Sequence, residues 1–233
     1  MSGTRALAEL LAAERKADLL LEAIEAQGLV RPGRSETEVD RDIYTLAESE
    51  FGVKQHWHKR IVRAGPNTVC IFAENPPVRS IAEDDTVFLD LGPVFGEWEA
   101  DVGRTYVMGT DPEKHQLCRD LPRIFDALKH HFDGHPDVTG AELYAQAQRC
   151  AEESGWLFGG AIAGHIVGEF PHARIPGDKD LYRISPANPG RLRDPDEAGN
   201  TRHWIIEVHL VDRNRTFGGF YERLLLPADV MLS

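Results

Sequence analysis

Val87-Phe88-Leu89-Asp90-Leu91-Gly92-Pro93 and, eleven residues after Asp90, Asp101-Val102-Gly103-Arg104-Thr105 decide how this chain is read. An apolar run that closes on an acid, turns at Gly92-Pro93 and returns to a second acid predicts a hairpin. Its two strands would aim both carboxylates at one point. Acids so placed repel each other unless a cation or a proton intervenes. The rest of the chain offers three further candidate ligands: His165, Glu207 and Glu222.

The chain has 233 residues, enough for one large domain or for two small halves sharing a core. Its formal net charge of −12 argues against a polyanionic partner such as nucleic acid. Three cysteines, Cys70, Cys118 and Cys150, are an odd number without a C-x-x-C pair. That argues against a disulfide framework or a zinc ribbon and suits a reducing cytoplasm. Glu9, Glu14, Arg15, Lys16 and Asp18 interrupt the first apolar residues, so no signal peptide is expected. No stretch reaches the roughly 20 apolar residues of a membrane span.

In chain order, Leu7, Leu10, Leu11, Leu20, Leu21 and Ile24 predict an amphipathic helix over 5–27. Ser35-Glu36-Thr37-Glu38 is a capping box that opens a second helix. Lys59–Arg63 and Val69–Ala73 read as strands around a Gly65-Pro66-Asn67 turn. The order then repeats. Asp111-Pro112 opens a helix that Pro122 is expected to kink or split, and Thr139-Gly140-Ala141-Glu142 caps another. Strands follow near 156–158, 163–167, 204–211 and 217–226. Helix, helix, then strands, twice over, predicts an α+β protein of two similar halves, about 1–109 and 110–233, with a central antiparallel sheet. Residues 173–202, rich in Pro, Gly, Asp and Arg, read as a loop insertion near the site mouth.

Each candidate ligand sits at or in a strand. Glu207 in Trp204-Ile205-Ile206-Glu207-Val208 and Glu222 in the final strand are acids in apolar surroundings, costly to bury without a partner. Four carboxylates and one neutral imidazole are balanced by two divalent cations, and such an oxygen-rich set suits Mn, Co, Fe or Zn, manganese foremost. Two such ions would acidify a bound water and polarise a carbonyl. His172, seven residues after His165, could donate to the oxyanion of a tetrahedral intermediate. Three other features draw blander readings. His56-Trp57-His58 looks like a metal or aromatic-cage motif but is taken as a solvent-facing strand, His130-His131 as a helix end, and Arg104 as a partner for a nearby acid.

Asp-x-Gly, Asp-x-x-Arg-Thr, Gly-His-x-x-Gly-x-x-x-His and two late strand glutamates, in this order and spanning nearly the whole chain, resemble the pita-bread metallopeptidases. That superfamily holds the methionine aminopeptidases, the Xaa-Pro peptidases and the creatinase-like enzymes. The resemblance implies a pseudo-twofold fold and a dinuclear site. Asp90 would bind one metal, His165 and Glu207 the other, with Asp101 and Glu222 bridging. Glu207 would handle the proton of the bridging water and His172 would contact the substrate. The sequence departs from the family in three ways. A substrate-binding histidine usual in its peptidases falls on Phe72, the late Glu-Pro pair is Glu207-Val208, and the N-terminal domain common in Xaa-Pro peptidases has no counterpart. The expected activity is hydrolysis of a small peptide or peptide-like amide. The same site acting on a non-peptide small molecule, and a partner-binding pseudo-enzyme, are the competing expectations. The resemblance allows a homodimer, although no isolated apolar stretch argues for one.

Overall fold

The computed structural model describes residues 3–226. Helix α1 (Gly3–Ala26) and helix α2 (Glu36–Phe51) lead into strand β1 (Ile61–Ala64). The capping box at Ser35 is formed, and Gly52 closes α2 in the left-handed conformation at φ 66. Strand β2 (Thr86–Leu91) and strand β5 (Val102–Val107) pair antiparallel, with Asp90 opposite Gly103. Between them the chain does not simply turn. It makes a separate two-stranded ribbon, β3 (Val94–Phe95) with β4 (Trp98–Glu99). Helices α3 (Pro112–Gly134) and α4 (Gly140–Glu153) then precede β6 (Leu157–Phe158), β7 (Gly164–Val167), β8 (His203–Val211) and β9 (Gly218–Leu224).

The strands other than β3 and β4 form one antiparallel sheet in the order β1-β2-β5-β9-β8-β6, with β7 also paired to β8. Strand alternation assigns its faces. Val87 and Leu89 of β2 pack with Leu20 and Ile24 of α1 and Ile43 of α2. Ile206, Val208 and Leu210 of β8 pack with Leu117, Leu121 and Leu128 of α3 and Leu143 of α4. The intervening residues, Asp90 on β2, Glu207 on β8 and Glu222 on β9, take the opposite face. The helices thus cover one side of the sheet and leave the acids on the other.

Two expectations fail. Val69–Ala73 is not a strand. Pro66, at the start of a 3-10 helix over Gly65–Val69, fixes a tight turn, and the chain continues irregularly so that Phe72 is half-exposed. Pro122 does not split α3, which runs unbroken from Pro112 to Gly134. The buried row Leu117, Leu121, Ile124 and Leu128 holds the helix against the sheet across the one lost backbone bond.

Candidate metal centre

Register alone lines up three of the acids. Asp90 is opposite Gly103, Gly103 is opposite Glu222, and Glu222 is opposite Glu207, so one row crosses β2, β5, β9 and β8. Gly103 is what lets that row close. A Cβ there would stand 2.5 Å from the Phe220 ring and 3.0 Å from Cβ of Glu222. Asp101, the residue before β5, and His165 on β7 complete the group. Nε2 of His165 is 3.0 Å from Oδ2 of Asp101 and 3.7 Å from both Glu207 Oε1 and Glu222 Oε1. Glu207 and Glu222 are direct cross-strand neighbours, an arrangement that costs energy unless something stands between the charges.

The electrostatics follow from burial. Burial pushes the Asp90 carboxyl up, to about 6, with Asp101 adding to it. It likewise pushes Glu207 up, to about 8, and Glu222 well above the carboxylate range. Asp101 goes the other way, because the His58 and His165 rings outweigh its burial. Burial pulls on His165 as well, but its bond to Asp101 and the nearby glutamates raise it well above the ordinary imidazole value. Burial thus favours a proton on Asp90, Glu207 and Glu222, and a divalent cation competes for those same oxygens.

One atom tests the fit directly. Oε2 of Glu222 is sealed from solvent and has no hydrogen-bond partner, although the side chain is 2% exposed. A carboxylate oxygen is not left so without cost. The donors Asp101, His165 and Glu222 lie within 4.8 Å of one another, close enough to share an ion. An oxygen-rich set with imidazole fits borderline divalent metals.

The structure also assigns residues that the sequence had not. His58 is not on a solvent-facing strand. It sits in an irregular segment with its side chain 6% exposed, and its Nε2 lies 3.4 Å from Asp90 Oδ1 and 3.2 Å from Asp101 Oδ1. Glu99, buried on β4, accepts from the backbone and from Nδ1 of His172. Trp57 stands edge-on to His58, His165 and His172 and binds the Ala100 carbonyl through Nε1. Glu99 stood in the sequence only as the middle of three alternating acids, Glu97, Glu99 and Asp101. His58 had only the His-x-His spacing. Arg104 reaches Glu25 at 2.9 Å, a partner from α1 rather than a site residue.

A cavity of about 570 Å³ opens onto these groups. Its walls include Ile71, Phe72, Phe88 and Phe220, with Lys179 and Tyr182 from the 173–202 segment. Phe72 is at its edge, 50% exposed, its ring edge-on to His58 at 5.7 Å.

The sequence profile of metallopeptidase family M24 matches residues 8–196. No curated protein sequence matches the chain. Among solved structures, a prolidase from Thermococcus sibiricus superposes with a TM-score of 0.70 at 22% identity, covering 95% of this chain and 57% of its own. The prolidase from Pyrococcus furiosus gives 0.69 at 21%, covering 96% and 61%. An X-Pro aminopeptidase from Thermotoga maritima gives 0.68 at 18%, covering 94% and 57%. The chain therefore spans about three fifths of the length of these structures, and at such identities the likeness establishes the fold. The chain belongs to metallopeptidase family M24 and has that family's pita-bread fold.

Proposed function

We propose that the chain is a dinuclear metal-dependent hydrolase of the aminopeptidase type, acting on a small peptide or peptide-like amide. Asp90, Asp101, His165, Glu207 and Glu222 would hold the two ions, which on donor chemistry are Mn, Co, Fe or Zn. The observation that carries this reading is the convergence of Asp101, Glu207 and Glu222 on His165 Nε2, with Asp90 in the same cross-strand row and Oε2 of Glu222 left unpartnered. When bound, the ions supply an acidified water and a polarised carbonyl.

The chain's own residues do the rest. Glu207 Oε1, at 3.7 Å from His165 Nε2, faces the centre of the site, where its carboxylate, ionised once the cations are bound, would accept the proton that the attacking water releases. Nδ1–H of His172 donates to the Glu99 carboxylate, so Nε2 faces away from that bond, and with the ring doubly protonated it would donate to the oxyanion. His172 and Trp57 both line the cavity and form its floor beside His165. The odd count of thiols supports a reducing compartment such as the cytoplasm.

The test is elemental analysis of the purified chain, followed by a dipeptide library assayed with Mn, Co, Fe and Zn restored. Two ions per chain and cleavage are expected; a chain that binds no divalent ion overturns the reading. Phe72, an apolar ring at the cavity edge, favours one second reading, a non-peptide small molecule on the same site. Two ions without cleavage of any dipeptide would support it.

A further inference from the structure

We propose that His58 is a sixth protein ligand of the metal centre, placed on the Asp90 side, so that each side of the site has its own imidazole. This rests on the dinuclear reading above and extends its ligand set beyond the five residues of the sequence motifs.

Geometry is the first ground. His58, Asp90 and Asp101 offer donor atoms that lie within 4.8 Å of one another, just as Asp101, His165 and Glu222 do. Asp101 belongs to both groups. Its Oδ1 faces His58 Nε2 at 3.2 Å and its Oδ2 faces His165 Nε2 at 3.0 Å. The two rings therefore address opposite oxygens of the one carboxylate that the groups share.

Orientation is the second. A histidine that ligates through Nε2 has its other nitrogen fixed by a hydrogen bond to a carbonyl or carboxylate, which sets the tautomer. In His165 that bond runs from Nδ1 to the Ile166 carbonyl at 2.7 Å. In His58 it runs from Nδ1 to the Lys59 carbonyl at 2.6 Å. Both rings use the carbonyl of the next residue, and both present Nε2 to Asp101.

The third ground is that the surrounding chain is built to hold the ring there. Residues 55–57 are laced to the loop after Asp90: Trp57 N–H donates to the Gly92 carbonyl at 2.9 Å, and Val94 N–H to Gln55 O at 3.1 Å. Gly92 leaves the space. A Cβ on it would stand 2.4 Å from His58 Nε2 and 2.5 Å from Trp57 Nε1. Trp57 then wedges between the imidazoles, edge-on to His58 at 4.4 Å and to His165 at 5.0 Å.

An imidazole added to the Asp90 side gives it the donor type that imidazole-binding metals such as Zn prefer over Mn. A purely structural histidine, locked as a cation between two aspartates, would instead repel a divalent ion from that side. These alternatives differ in what the ring nitrogen bonds to, and that can be read without turnover.

The full chain, labelled with 15N-histidine and loaded with 113Cd, is examined by NMR, with bound cadmium measured by elemental analysis. Two histidine Nε2 signals coupled to cadmium are expected in the wild type. His58→Gln should leave one, bind one of its two ions at least about tenfold more weakly, and lose most of the preference for Zn over Mn on that side. Circular dichroism establishes that the variant is folded, and the wild-type spectrum decides the matter even if it is not. Cadmium bound with no coupling to His58 overturns this proposal and leaves the dinuclear reading standing. A wild-type chain that binds no cadmium overturns both.

Discussion

Glu99 clamps His172 at two points: its Oε1 accepts the His172 backbone N–H at 2.9 Å, and its Oε2 accepts Nδ1–H at 2.7 Å. The carboxylate is 1% exposed, while the imidazole it orients faces the cavity and stacks beside His165 at 5.8 Å. A buried acid holding a ring by one nitrogen fixes which tautomer the other nitrogen presents. Glu99→Gln should lower kcat by about 10–100-fold on whichever amide the chain turns over, with KM little changed. The double variant with His172→Ala should be no worse than His172→Ala alone, because Glu99 acts through that ring. Losses that multiply would show that it does not.

Phe72 lies outside any strand, half-exposed at the cavity edge and 5.7 Å from the His58 ring. A ring without a donor cannot hydrogen-bond an amide substrate. Phe72→His should raise dipeptide hydrolysis at least severalfold if this position limits peptide binding. Unchanged activity and unchanged substrate range would remove Phe72 from the account of specificity.

Metal removal should also be visible in stability. Ions that bind only the folded chain add RT ln(1 + [L]/Kd), about 2.7 kcal/mol at a hundredfold excess over Kd. For a domain of this size that corresponds to a Tm shift of about 5–10 °C per site. Calorimetry with and without a chelator measures it. A Tm indifferent to chelation would mean that no ion is held by the folded site.

The sheet was legible, and the five strand-borne or strand-flanking candidate residues could be picked out, because each sits in a local pattern. An acid inside Trp204-Ile205-Ile206-Glu207-Val208 has to be buried, and alternation assigns it to the face opposite Ile206 and Val208. Both helix-opening capping boxes were equally local and form as written. His58 was not legible. Its partner Asp101 is 43 residues away, and an irregular segment has no periodicity to say which side chain turns inward. Val69–Ala73 misled for a related reason. A short apolar run has the composition of a strand, but Pro66 and the 3-10 turn before it decide its path.

Glu14, which lines a small pocket together with Glu99 and Asp101, gives a pH dependence of stability. Its Oε1 accepts the Leu224 N–H at 2.9 Å, tying α1 to β9. Burial raises its carboxyl from 4.5 to about 7, against the pull of that bond and of Arg223. The folded chain therefore binds a proton that the unfolded chain has lost, so its stability falls as pH rises from 4.5 through 7. At 1.36 kcal/mol per unit the loss is at most about 3 kcal/mol, less to the extent that water reaches this half-buried side chain. Glu14→Gln keeps the acceptor and removes the titration. Its stability gain over wild type, from urea unfolding, should widen from pH 4.5 to pH 8. A gap constant with pH would mean that Glu14 stays ionised in the fold.

Gly92 offers the sharpest structural test of the site's construction. Its φ is not in the left-handed region, so its backbone does not demand glycine. What demands it is room: an added Cβ would meet His58 Cδ2 at 2.3 Å and Trp57 Nε1 at 2.5 Å. Neither ring can simply rotate away, since His58 is tied to the Lys59 carbonyl and to Asp101 while Trp57 is tied to the Ala100 carbonyl. Overpacking of this kind costs about 1–3 kcal/mol. Gly92→Ala should therefore lose about that much stability in urea unfolding and weaken metal binding on the Asp90 side, while the His165 ring keeps its metal contact. His58→Gln, which replaces the rigid obstructing ring with a flexible side chain of similar length, should recover part of the stability lost to Gly92→Ala when the two are combined. Strictly additive losses would mean that the missing Cβ at Gly92 has nothing to do with His58.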